Sequence, residues 1–261
     1  FSLWVFMMST TEVSTITTTP TNVAFIGNSI LYFNDTPRFL QNLSFDKIKY
    51  QNSCLRPNAS LISILTDGNG MGRIFATRPI EITKNQGSSN TACHDIGSPT
   101  VRALLSERNW DCVVLQDYTQ GPARASTRDA TVTTLKEIYV PLLTQRNDSS
   151  SASSSPSPLI VLVMTAAYRE EGANGSSDLG SFDVFSESLK DGYEAYAAAL
   201  TESLPSNYRV RVAPVATAFQ LLRQQNEELW RKLYHFDNFH PSPHGTFLQA
   251  CVLHWTIFGC A

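Results

Sequence analysis

Residues that could together perform nucleophilic catalysis stand near the two ends of this chain. Ser29 follows Val23-Ala24-Phe25-Ile26-Gly27-Asn28, an apolar run that predicts a short buried strand broken by Gly27 and Asn28. A helix is predicted from about Thr36, with Pro37 in its first turn. A serine at such a strand-to-helix turn carries its hydroxyl at the carboxyl edge of a sheet, beside the first free N–H groups of the helix. That is where a nucleophile would stand, and a helix N-cap or loop serine would use the same residues. Near the other end, Phe236-Asp237-Asn238-Phe239-His240-Pro241-Ser242 sets an Asp three residues before a His in a loop braced by Pro241. The carboxylate can take the imidazole Nδ1, leaving Nε2 free to accept a proton from a serine. A surface loop with Ser242 as a helix cap is the plain alternative.

The elements that must hold these groups read as alternating strands and helices. Further strands are predicted over Ile48 to Cys54, Trp110 to Asp117, Leu159 to Met164 and Tyr208 to Ala213. Helices are predicted over Thr36 to Leu43, Val101 to Glu107, Thr127 to Gln145, Phe182 to Leu204, Val215 to Asn226, and from Pro241 or Ser242 to Phe258. Pro141 should kink or end the third of these. Such alternation predicts an α/β protein, a parallel sheet with helices on both faces. Ligands of such sheets bind beyond the carboxyl ends of the strands, where Ser29 and Gln116 both lie. Leu55 to Ser98 is irregular apart from a short apolar stretch at Leu61, Ile62, Ile64 and Leu65, and reads as a lid or cap over the site. Asn147 to Pro158 is a Ser-rich loop that carries no chemistry.

With 261 residues, the chain suits one α/β domain. A net charge of −3 without basic runs argues against nucleic acid as the main partner. No apolar run approaches the ~18–20 residues that cross a bilayer. Phe1 to Met8 is apolar and a Ser/Thr-rich stretch follows, so 1–21 is expected to be a lead-in or targeting remnant and 22–261 the catalytic domain. The five cysteines are too scattered for a disulfide scaffold. Cys112 is expected as a buried thiol; Cys54 with Cys93, or Cys251 with Cys260, could pair in a secreted protein. Sequons at Asn34, Asn42, Asn58, Asn147 and Asn174 exceed the roughly three expected by chance and lean weakly towards a secreted or extracytoplasmic protein. His94, His235, His244 and His254 have no metal-ligand spacing and read as structural; no metal is expected.

Gly27-Asn28-Ser29 after the first strand, Gln116 closing Val113-Val114-Leu115, and Asp237-x-x-His240-Pro241-Ser242 come in the order of the SGNH/GDSL hydrolase superfamily. The resemblance covers about Val23 to Phe258. It is closest to the branch with Ile-Gly-Asn-Ser in its first block and Val-Val-Leu-Gln in its third. Tyr32-Phe33-Asn34-Asp35, Thr165 to Tyr168, Phe185 to Tyr196 and Gly245-Thr246-Phe247-Leu248 agree with it. The resemblance implies a flavodoxin-like three-layer α/β/α sandwich on a five-stranded parallel sheet, and ester hydrolysis without metal or cofactor. Ser29 would be the nucleophile, His240 the general base and then acid, and Asp237 the orienting carboxylate.

The family's oxyanion hole uses the serine N–H, a glycine N–H after the second strand, and an asparagine side chain after the third. By that resemblance Ser29 supplies the first, Gln116 stands for the asparagine, and Asn58 stands where the glycine is expected. Only a backbone N–H is needed there, and Asn tolerates the left-handed conformation well. Gly68 or Gly70 is the alternative donor. Tyr32, Asp35, Asp117 and Tyr168 either line the pocket or are structural hydrogen-bonding residues. The expected substrate is a small-molecule or carbohydrate ester, sugar O-acetyl groups foremost. Lipid or lysophospholipid esters, acyl transfer to an alcohol, and a catalytically silent carbohydrate-binding module are the alternatives.

Overall fold

Val23, Ala24, Phe25 and Ile26 are completely buried because β1 (Thr21–Gly27) runs through the middle of the sheet, covered on both faces. The computed structural model describes residues 21–72, 82–85, 92–145 and 158–259. The expected lead-in before residue 21, the Asn147 sequon, the side chain of Cys93 and Cys260 fall outside them, and both proposed cysteine pairings with them.

After β1 come a single helical turn, α1 (Ser29–Tyr32), then α2 (Thr36–Ser44), β2 (Ile48–Leu55) and α3 (Ser63–Asp67). A hairpin of β3 (Ile82–Asn85) and β4 (Ala92–Asp95) precedes α4 (Val101–Glu107) and β5 (Cys112–Leu115). Next are α5 (Gln120–Ala123) and α6 (Ala125–Thr134), which runs through a π-turn, Leu135–Tyr139, into α7 (Val140–Thr144). Pro141 has no N–H to give the preceding turn, and the wide turn just before it absorbs that loss. β6 (Leu159–Val163), α8 (Phe182–Ser203), β7 (Arg209–Ala213), α9 (Val215–Gln225), α10 (Glu227–Lys232) and α11 (Pro243–Phe258) complete the chain.

The sheet order is β4-β3-β2-β1-β5-β6-β7, in which β2, β1, β5, β6 and β7 are all parallel. Counting those five alone, the order is the flavodoxin-like one, and its switch point lies between β1 and β5. Helices cover both faces. On α8, Phe185, Leu189, Tyr193, Tyr196 and Leu200 are buried at helical spacing. α11 packs against α2 and buries Val252, Leu253 and Ile257.

One expectation is corrected. Part of the irregular Leu55 to Ser98 stretch does not cover the site; β3 and β4 extend the sheet sideways from β2 in antiparallel fashion. Four-residue edge strands of mixed polarity leave too short a period to be read from sequence.

Candidate active site

The turn after β1 is built by Asn28. Its Oδ1 caps α1 by accepting from the N–H of Ile30 at 3.1 Å, while Nδ2 donates to the carbonyls of Ala59 at 2.8 Å and Asp117 at 3.3 Å. Its backbone N–H donates to Gln116 Oε1 at 2.8 Å. One residue therefore ties the carboxyl ends of β1, β2 and β5 together. Ser29 is not the N-cap; it is the first helical residue, 9% exposed, and its N–H has no partner within the helix. Gly27 permits the close approach beneath it, since a Cβ there would stand 2.7 Å from Gln116 Oε1 and 2.9 Å from Leu31 Cδ1.

The second half of the site is a loop pinched at its neck by a bridge between Tyr234 and Pro241 and by the His235 N–H on the His240 carbonyl at 2.9 Å. Within it, Asp237 Oδ1 accepts the backbone N–H groups of Phe239 at 3.1 Å and His240 at 2.9 Å, a local turn typical of Asp. Oδ2 faces His240 Nδ1 at 2.8 Å and His235 Nδ1 at 3.2 Å. Arg169, from the segment after β6, holds the loop from outside: its N–H donates to the Asn238 carbonyl at 2.8 Å and its guanidinium to Asn238 Oδ1. Burial works to raise the Asp237 pKa, but the His240 and Phe239 N–H groups and the imidazole outweigh it and hold it below the usual carboxylate value. Burial depresses the His240 pKa, and the attraction of Asp237 only partly offsets this. A simple Asp–His pair would instead raise it.

His240 Nε2 is buried and has no hydrogen-bond partner among the described residues. Phe33 relates it to Ser29. The Phe33 N–H donates to the Ser29 carbonyl at 2.9 Å, so Phe33 sits one turn along the same helical face. Its ring stacks on His240 with centroids 4.3 Å apart and planes 7° from parallel. Ser29 Oγ and Nε2 are not hydrogen-bonded here; such bonds commonly tighten only in the substrate complex.

Asn58 has φ of +56°, the left-handed conformation expected of it. It is exposed, and its N–H donates to no group among the described residues. Both alternative donors are already engaged: the Gly68 N–H bonds to Ile64 O at 3.0 Å and the Gly70 N–H to Leu55 O at 2.9 Å. Gln116 is completely buried. The Asn28 N–H requires an acceptor opposite it, which fixes the amide with Oε1 there and Nε2 donating to the Asp117 carbonyl. One Nε2 hydrogen remains.

The other residues singled out divide clearly. Asp117 is fully buried, accepting from the N–H groups of Leu61 and Tyr118 at 2.8 Å each and from Tyr196 Oη at 2.8 Å. Asp35, at φ +57°, caps α2 and pairs with Arg38 at 3.1 Å, a structural role. Tyr32 is buried in the core. Tyr168 packs its ring 5.5 Å from Phe239, and its hydroxyl accepts from Asn174 Nδ2 at 3.3 Å. Sequence reasoning missed the role of Asn28, and it missed His235, which reads as structural for want of metal-ligand spacing and is found on Asp237. His244 is exposed on α11, and the side chain of His94 lies outside the described residues. Among the described residues no three His, Cys, Asp or Glu side chains are grouped as metal ligands, and no helix is long and apolar enough to cross a membrane.

No known family profile and no curated protein matches this sequence. Solved structures do. A DUF4886 family protein from Bacteroides uniformis overlays with a TM-score of 0.66 at 16% identity, covering 90% of this chain and 82% of that one. A candidate GDSL-like lipase from Parabacteroides merdae overlays with a TM-score of 0.46 at 12% identity, covering 90% and 94%. A salicylyl-acyltransferase of a tetracycline biosynthetic pathway gives 0.44 at 12%, covering 92% and 54%. The last two overlays are too loose to add to the first. At this identity the first establishes the fold, a three-layer α/β/α sandwich shared with the Bacteroides uniformis protein.

Proposed function

We propose that this protein is an SGNH-type serine ester hydrolase. The observation that carries the reading is the state of His240: Nδ1 held by Asp237, Nε2 buried and unpartnered, the ring stacked against the helical turn that begins with Ser29. A neutral imidazole in that state is a base waiting for a proton. Nε2 takes the Ser29 proton as Oγ attacks the ester carbonyl, then returns it to the departing alcohol. Water, deprotonated by the same nitrogen, then cleaves the acyl-serine. The N–H groups of Ser29 and Asn58 and the remaining Nε2 hydrogen of Gln116 are the donors for the oxyanion.

For the substrate, a carbohydrate ester carrying a short acyl group is the first reading. Tyr118, Tyr168 and Asn174 form a polar cluster beside Phe239, with Asn174 Nδ2 donating to Tyr118 Oη at 3.1 Å and to Tyr168 Oη at 3.3 Å. The two hydroxyls also interact with each other, which leaves one phenol proton to bind a hydroxyl-bearing alcohol. The second reading, a lipid or aryl ester, is favoured by Phe236, 85% exposed on the loop that carries Asp237 and His240. An ester panel from acetyl to palmitoyl, with sugar and non-sugar alcohols, decides between them. The first reading predicts a preference for acetylated sugars; a rise in kcat/KM with acyl length would favour the second. Absence of turnover on every ester, p-nitrophenyl acetate included, would overturn the hydrolase and leave a binding module.

A further inference from the structure

We propose that Phe33 and Asn34 form a clamp that fixes the His240 imidazole relative to Ser29, making both of them positioning residues. The proposal rests on the roles given above to Ser29 and His240. A helix of one turn, such as α1, does not hold its own direction, because helix nucleation is unfavourable and only tertiary contacts can fix it. α1 itself packs on β2 and α2, and its Ile30 carbonyl accepts from Gln249 Nε2 of α11 at 3.2 Å; the turn that follows it, Phe33 and Asn34, is what meets the His240 loop. Asn34 donates one Nδ2 hydrogen to the Pro241 carbonyl of that loop at 2.8 Å and the other to Thr246 Oγ1 on α11 at 2.9 Å. Pro241 directly follows His240, so the first of these bonds sets how far the imidazole stands from the serine turn. Phe33 covers one face of the imidazole in near-parallel stacking, and its ring meets His235 at 4.9 Å and 68°. Phe239 lies against the imidazole at 4.2 Å and 41°, and Asp237 holds Nδ1 in the plane. Only Nε2 is left free. Asn34 also heads the sequon Asn34-Asp35-Thr36, and the clamp occupies the nitrogen that a glycan would need.

The clamp makes a prediction that a merely structural contact does not. Burial holds the His240 pKa below its ordinary value, and the Phe33 ring supplies part of that cover. Removing the ring admits water and raises the pKa towards the ordinary value. The titratable and charged groups around the imidazole are few. Asp237 and His235 share its loop, and Asp35 on the neighbouring turn is paired with Arg38. Tyr168 and Arg169 come from the segment after β6, Arg169 being bound to Asn238. Arg231 and Lys232 of α10 are paired with Glu227 and Glu228. Of these only His235 also touches Phe33, at 4.9 Å; the others make no hydrogen bond or ring contact with it.

The test is an imidazole NMR titration of the whole protein, with kcat and KM for p-nitrophenyl acetate, on Phe33→Leu, Phe33→Tyr and Asn34→Ala. Phe33→Leu should move the His240 midpoint up by roughly 0.5–1 pH unit and lower kcat about 10–100-fold with KM within about twofold. Phe33→Tyr, which keeps the ring, should restore both. Asn34→Ala should lower kcat about tenfold. Unchanged midpoint and kcat in folded Phe33→Leu and Asn34→Ala would overturn the clamp. A shifted midpoint in a protein without esterase activity would support the clamp and remove the catalytic role, since the titration needs no turnover. If Phe33→Leu melts, Phe33→Met carries the same two outcomes.

Discussion

Two carboxylates stand at the same edge of the sheet and are held in opposite ways. Asp117, after β5, is wholly buried and meets only neutral donors: two backbone N–H groups, the Tyr196 hydroxyl and, at 3.4 Å, Thr131 Oγ1. Burial raises its pKa despite those bonds. Asp237 is 22% exposed and gives one oxygen to backbone N–H groups and the other to two histidines. Its pKa is lowered against a smaller burial. The number of hydrogen bonds does not separate them. What does is whether a partner can itself take or give a proton, and how much water remains. Asp117 joins β5, the segment at Leu61, α6 and α8 into one body; Asp237 holds a base.

The same substitution should therefore act on activity at one carboxylate and on stability at the other. Asp237→Asn must keep its oxygen towards the Phe239 and His240 N–H groups, which turns the NH₂ towards His240 Nδ1. The imidazole then carries its proton on Nε2 and cannot act as a base. We expect kcat to fall by about 10³–10⁴-fold with the melting temperature nearly unmoved. At Asp117, Asn can keep its oxygen on the Leu61 and Tyr118 N–H groups while the Tyr196 and Thr131 hydroxyls turn to accept from the amide. Asp117→Ala, which leaves those donors bare, should lower stability by about 2–4 kcal/mol in denaturant titration; Asp117→Asn should lose about 1 kcal/mol. Comparable activity loss in the two Asn variants would break the comparison.

The pH dependence sharpens it. Because the folded pKa of Asp117 lies above its unfolded value, its stabilising share is complete below the unfolded ~3.9 and is lost as pH rises through the folded value. The destabilisation by Asp117→Asn should therefore be larger at pH 4 than at pH 8. Asp237 has the opposite sign: its share is present above ~3.9 and lost as pH falls through its lowered value. Activity reports a third group. His240 must be neutral to accept a proton, so kcat/KM should rise with pH through a midpoint below ~6.5, on the side set by burial. A midpoint above that value would mean that Asp237 outweighs burial.

The smallest effects are expected at Asn58. Asn58→Val, made to hold a positive φ with a β-branched side chain, should lose about 10-fold or more in kcat. Asn58→Gly should stay within about threefold, since glycine reaches that conformation freely. Equal losses in the two would remove the Asn58 N–H from the oxyanion hole.

The parallel strands and long helices were legible because their burial is periodic and continuous, as in β1 and α8. The β3–β4 hairpin was not, being four residues per strand without a clear period. The Pro141 irregularity was visible, but its form, a π-turn in a continuing helix, depends on packing. Within the site, the three-residue spacing of Asp237 and His240 carried its own geometry, because Asp bonds N–H groups two and three residues ahead. Contacts made across the fold were invisible. Which end of the Gln116 amide faces the serine turn is decided by an N–H 88 residues away. The contact of His235 with Asp237 is local, two residues apart, and escapes notice because that spacing has no metal-ligand pattern.

The account stands on Ser29 being a nucleophile activated by His240. Its most direct test is stoichiometric labelling with a fluorophosphonate, followed by peptide mapping, on wild type, His240→Ala and Ser29→Ala. The account predicts one label per chain on Ser29 in wild type, labelling slowed by about 10³-fold or more in His240→Ala, and none in a folded Ser29→Ala. A label on another residue, or Ser29→Ala retaining esterase activity, would contradict it.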